Sequence, residues 1–177
     1  MLDVIKDRAS LRAYRPDPVP SSVITELLEA MGWAPSARNR QPWQALVVQQ
    51  PEALARLHQT LAAGNEWAVK APLAIVVLAN PADDAIVDGK PYYLFDCGLA
   101  VQNLLLQATA AHLCSHPTLG WDEQAIKTAF AIDDALRVLC VVFLGYPGSS
   151  DSLDEATRAK DALPRQRKPL ESWVRYL

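Results

Sequence analysis

Apolar positions along this chain recur with two different periods, and the changes of period mark out its elements. Leu2 to Ala9 reads as a short helix, followed by the turn-like stretch 15–20 with prolines at 16, 18 and 20. Ser21 or Ser22 can cap a second helix, in which Val23, Ile24, Leu27, Leu28 and Met31 form one stripe for burial. Ala34-Pro35-Ser36 stops it. Trp43 to Val48 is a short apolar run between Pro42 and Pro51, the pattern of a strand. Pro51 suits the first turn of a helix that carries Leu54, Leu57 and Leu61 on one side. Leu73 to Leu78 is β-branched and uninterrupted, as in a strand covered on both faces.

The acidic stretch from Asn80 to Pro91 predicts a surface loop. Tyr92 to Leu113 follows as a long helix, apolar almost all round and so expected to run through the middle of the structure. Asp122 to Phe130 is amphipathic, with Ala125, Ile126 and Phe130 inward. Leu136 to Leu144 is a second buried strand, ended by Gly145-Tyr146-Pro147-Gly148, and the tail beyond is polar and basic until Leu170. No internal repeat interrupts this order. The expectation is a single α+β domain over residues 1–177, with helices around a central sheet.

Composition narrows the function more than the fold. Half of the 177 residues are hydrophobic and 21% are charged, which excludes a disordered chain. The longest apolar run, Ala71 to Ala79, falls far short of the roughly 18 residues of a membrane span. Acids among the first residues leave no signal-peptide core, so a cytoplasmic protein is expected. A net charge of −3 removes the electrostatic case for a nucleic-acid binder. Its distribution is uneven: Lys6, Arg8, Arg12 and Arg15 crowd one end, and Arg165, Arg167, Lys168 and Arg175 the other. These are either two solvated surfaces or two halves of a site for a small anion. The three cysteines, Cys97, Cys114 and Cys140, form no CxxC pair and read as reduced core residues. His112, Cys114 and His116 alternate as strand ligands would, but lack a fourth partner at zinc spacing, and no metal is expected.

Two segments carry candidate chemistry. If Arg8-Ala9-Ser10-Leu11-Arg12 is extended, positions 8, 10 and 12 offer a guanidinium fork, a hydroxyl and a second fork on one side. Planar paired donors of that kind suit phosphate oxygens. Ala34-Pro35-Ser36-Ala37-Arg38-Asn39-Arg40-Gln41-Pro42-Trp43 is a polar loop bracketed by prolines. Its Ser36, Asn39 and Gln41 supply both donors and acceptors, as the edge of a heteroaromatic ring requires, although such side chains equally satisfy their own loop backbone.

Together these segments resemble the nitroreductase family of FMN-dependent oxidoreductases. The family pattern Arg-x-Ser-x-Arg/Lys-x-aromatic is matched by Arg8, Ser10, Arg12 and Tyr14, and its Pro-Val element by Pro18-Val19. Its Ala-Pro-Ser-x-x-Asn-x-Gln-Pro-Trp is matched by residues 34–43. Further matches follow in order: Asn65 and Trp67 before Ala71-Pro72; Asp96, Gly98 and Asn103 in the long helix; Pro117 to Trp121; and Arg167 to Glu171.

The resemblance implies an antiparallel sheet flanked by helices, and a homodimer with the long helix at its interface and the C-terminal tail wrapped onto the partner. It implies that Arg8, Ser10 and Arg12 bind the ribityl and phosphate side of FMN, with Arg167, Lys168 or Arg165 returning to the phosphate. Pro35, Ser36, Ala37 and Asn39 would lie against the flavin from the other subunit, Gln41 would be a further cofactor contact, and Asn65 would sit at the pyrimidine edge of the ring. Leu119 and Gly120 would sit beside the ring, where a backbone N–H can reach N5. NADH or NADPH would be the reductant, and a small conjugated electron acceptor the oxidant, taken in alternating half-reactions. Other uses of the fold, such as flavin destruction, dehalogenation, azoline oxidation or non-catalytic flavin binding, are the alternatives. The chain departs from relatives at Ala9, where many are basic, and at Leu119, where several are acidic. It also has no long central insertion to act as a lid, which implies an open site.

Overall fold

The computed structural model describes residues 1–177. At its centre is a four-stranded antiparallel sheet in the order β1-β2-β6-β5, formed by β1 (Trp43–Val48), β2 (Leu73–Ala79), β5 (Cys114–Thr118) and β6 (Arg137–Gly145). A two-residue hairpin, β3 (Ile86–Val87) with β4 (Lys90–Pro91), stands apart from it. The helices are α1 (Asp3–Asp7), α2 (Ser21–Gly32), α3 (Pro51–His58), α4 (Tyr92–Ala110), α5 (Glu123–Phe130) and α6 (Glu155–Ala162).

Every residue of β2 is buried, and its alternating side chains divide the core in two. Leu73, Ile75 and Val77 face Ile24, Leu27 and Met31 of α2 and Ala100, Leu104 and Leu105 of α4. Ala74, Val76 and Leu78 face Leu54 and Leu57 of α3, Trp67, and Ile126 of α5. A bulge between Val77 and Leu78 shifts the β2–β6 register. The expectation of helices around a central sheet therefore holds, with the helices layered on its two faces.

Differences from the sequence expectation have local causes. The second helix starts at Ser21 itself, with Pro20 in the capping position, so neither serine caps it. The third stops at His58, and Leu61 leaves it to form a bridge with Trp121. The 80–91 segment is a surface loop only in part, because Asp84 and Ala85 are buried. The long helix ends at Ala110, and after a turn through His112, at φ 57°, the chain enters β5, a strand the periodicity did not reveal. The tail hides α6, capped by Asp154 Oδ1 accepting from Thr157 N–H at 2.9 Å.

The stretch between α1 and α2 lies against the exit of β6. Arg15 N–H donates to the Tyr146 carbonyl at 2.9 Å and Gly148 N–H to that of Ala13 at 3.0 Å. A Cβ on Gly148 would lie 2.6 Å from the Tyr14 carbonyl carbon, so only glycine permits this approach. Tyr14 is buried beneath it, its hydroxyl donating to the Leu11 carbonyl at 3.1 Å. That anchorage fixes where the residues from Arg8 to Arg12 lie.

Candidate functional site

The two basic clusters meet. Arg8, Ser10, Arg165 and Arg167 line one cleft of 790 Å³, together with Lys6, Gln102 and Pro117, and no acidic residue lines it. Arg8 Nη1 donates to Ser10 Oγ at 3.3 Å, and Arg165 Nη1 to the Arg8 carbonyl at 2.7 Å. Burial, followed by the like charges of Arg165 and Arg167, pulls the Arg8 guanidinium below its ordinary pKa. Cations held this close without a carboxylate make a receptor for a multiply charged anion, so the donor set fits a phosphate monoester. Lys168 is exposed and outside the cleft.

Arg12 does not line the cleft. Its guanidinium pairs with Asp161 of α6, and its backbone N–H donates to the same carboxylate at 2.9 Å. Its Cζ lies 5.7 Å from the centroid of the Trp67 ring. Trp67 in turn packs on His116, ring centroids 4.4 Å apart. Desolvation, then the charge of Arg12, lowers the His116 pKa to about 4, so this ring is neutral at physiological pH.

Beyond Pro117 the strand opens into a tight turn. Asn65 Nδ2 donates to the Gly120 carbonyl at 3.0 Å, and Thr118 Oγ1 donates to Asn65 Oδ1 at 3.2 Å. A Cβ on Gly120 would stand 2.3 Å from Asn65 Nδ2. Asn65 is thus engaged in holding this turn. Leu119 projects from it, 83% exposed, and its N–H takes no part in the turn's hydrogen bonds.

The proline-bracketed loop forms a third group. Gln41 N–H donates to Ser36 Oγ at 2.9 Å, and Gln41 Nε2 to Asn39 Oδ1 at 3.1 Å. Arg38, Asn39 and Gln41 all adopt positive φ, and these contacts tie Asn39 and Gln41 to each other and to Ser36. Ala37 N–H donates to Asp96 Oδ2 at 2.7 Å. Pro35, Asn39 and Gln41 line a hollow of 580 Å³ with Trp33, and it shares no residue with the arginine cleft. Within one chain, therefore, the loop does not converge on Arg8. Asp96 is 2% exposed and Asp84 6%; burial first, then Asp84, raises the Asp96 pKa. Neither Asp84 oxygen has a hydrogen-bond donor.

Cys97 and Cys114 are buried and Cys140 partly so, all unpaired; burial pushes the Cys97 and Cys140 thiols up to about 12. His112 lies in the turn before β5, off the face that Cys114 and His116 share, and no three potential ligands gather anywhere in the chain. No helix is long and apolar enough to cross a membrane.

An antiparallel sheet clad by helices on both faces, with a basic cleft at one edge, defines a class of fold that comparison identifies. The nitroreductase family model matches residues 5–67 and 57–146. The chain belongs to the nitroreductase family. It is 29% identical over 198 residues to an NADH dehydrogenase of Thermus thermophilus, covering 94% of this chain and 91% of that one. A nitroreductase family protein from Clostridium novyi NT superimposes with a TM-score of 0.79 at 28% identity, covering 86% and 87% of the two chains. An oxidoreductase containing FMN superimposes with a TM-score of 0.88 at 27% identity, covering 98% and 90%.

Proposed function

We propose that this chain is an FMN-dependent oxidoreductase, a homodimer that carries electrons from NADH or NADPH to a quinone, nitroaromatic or similar conjugated acceptor in alternating half-reactions. The observation that carries the reading is the acid-free cleft in which Arg8 and Ser10 meet Arg165 and Arg167. A phosphate monoester brings close to two negative charges, which would relieve the mutual repulsion of these guanidinium groups. FMN, when bound, supplies the hydride chemistry.

The chain's own residues orient and stabilise. Arg8, Ser10, Arg165 and Arg167 bind the phosphoryl group. The turn stiffened by Asn65 and Thr118 presents the Leu119 N–H, and a donor fixed in advance stabilises negative charge without reorganising. The exposed Leu119 side chain offers an apolar wall to a flat acceptor. Pro35, Ser36, Ala37, Asn39 and Gln41 reach the ring from a second copy. Support for that copy comes from apolar surface left uncovered: Phe95 of α4 is 63% exposed, Trp173 of the tail 67%, and Leu94, Leu170 and Tyr176 are exposed as well.

The test is an absorption spectrum of the purified protein followed by anaerobic titration with each nicotinamide. Yellow protein that bleaches with NADH or NADPH and recolours with acceptor over repeated cycles is expected. A colourless preparation that takes up no added FMN refutes the proposal, and flavin that never cycles leaves only a flavin-binding dimer. Arg8→Gln should weaken FMN binding by roughly tenfold or more, the size of a lost charge-assisted contact. Sedimentation should give twice the chain mass.

A further inference from the structure

The arginine cleft depends on a contact outside it. Asp161, in the last turn of α6, takes the backbone N–H of Arg12 on Oδ2 and its guanidinium on Oδ1, across 149 residues of chain. Four residues later Arg165 donates to the carbonyls of Arg8 and Lys6. As one segment descends from 12 to 6 the other climbs from 161 to 165, so the two run antiparallel and are fastened at two levels. The Asp161 side chain is 10% exposed and that of Arg12 23%, which places the pair beyond the screening of a surface salt bridge. An aspartate bonded to a main-chain amide as well as a guanidinium fixes the course of the backbone, not just one rotamer.

We infer that Asp161 is a positioning residue for the phosphate site: its two-point hold on Arg12 sets the alignment that brings Arg165 and Arg167 opposite Arg8 and Ser10. Without that hold, three guanidinium groups on two mutually repelling segments have only the Arg165 contacts to the Lys6 and Arg8 carbonyls against separation. Residues after 163 are almost all exposed and lend no packing to resist it. The inference rests on the FMN reading.

The experiment titrates flavin-free protein with FMN and, separately, with riboflavin, which lacks the phosphate, following quenching of flavin fluorescence. Asp161→Asn should weaken FMN binding by roughly tenfold, leave riboflavin binding within about twofold, and Asp161→Glu should recover part of the loss. A variant that binds FMN as tightly as the parent, or more tightly because the freed Arg12 enters the cleft, overturns the inference. Equal losses for both flavins also overturn it, since they mark a purely structural role. Should Asp161→Asn fail to fold, the pair Arg12→Gln with Asp161→Asn leaves no lone buried charge and is compared with Arg12→Gln alone, in which Asp161 still holds the backbone N–H: a further FMN-selective loss in the pair supports the inference, and none overturns it. A parent protein that binds neither flavin defeats the proposed function instead.

Discussion

His116 gives the sharpest stability prediction. Its ring is buried against Trp67, its Nδ1 has no hydrogen-bond partner, and Arg12 stands nearby, so protonation inside the fold is resisted and the pKa falls from 6.5 to about 4. In the unfolded chain the same ring protonates near its ordinary value. Between these two values the unfolded state binds more protons, so stability is fully present above pH 6.5 and is lost as the pH falls through 4. Taking both values, acidification from about pH 7.5 to about pH 4.5 costs about 2.5 kcal/mol through this one group. The assay is urea unfolding of the parent and of His116→Gln at the two pH values, at matched flavin content. The variant should lose about 2.5 kcal/mol less on acidification than the parent, since its side chain does not titrate. Equal losses in the two proteins would show that His116 takes up its proton in the native state as readily as in the unfolded chain, against the effect of its burial.

Gly148→Ala should destabilise the protein by about 2 kcal/mol or more, because the added methyl would meet the Tyr14 backbone and no side chain can yield; a thermal melt within one or two degrees of the parent refutes the close approach. Asp84→Asn should stabilise it. The raised Asp96 pKa means that the native state holds a proton more tightly than the unfolded one, so stability falls as the pH rises from the ordinary carboxylate value through the raised one. An amide at 84 removes the like charge and adds a donor, worth about 1 kcal/mol at pH 8 and less in acid; melts that show the same gain at both pH values contradict this.

The sequence carried the fold where one effect dominated. The run Leu73 to Ala79 is apolar because both faces of β2 are covered, and α2 declares its buried side at Ile24, Leu27 and Met31. Strand β5 escaped notice because Ser115, His116 and Pro117 give it no apolar run, although Ser115 and His116 are buried. Helix α6 escaped because its attachment is a cap and an ion pair, with only Thr157 buried along its length; Asp154 three residues before Thr157 was the legible signal. At the site, the meeting of Arg8 with Arg165 and Arg167 followed from charge placement and family likeness. Asp161 did not, because a partner 149 residues away leaves no local pattern. The engagement of Asn65 with Thr118 and Gly120 was hidden for the same reason, as side-chain amides in loops advertise no particular partner.

The cleft draws its cations from Lys6, Arg8, Arg165 and Arg167, so in a nascent chain it is incomplete until position 167 has emerged. Under the proposed function, loading with an anionic cofactor is therefore a late event, performed on a body already shaped around its sheet. A phosphate seated there would clasp the two segments together, and amide exchange along both should slow together on its addition while the sheet barely responds.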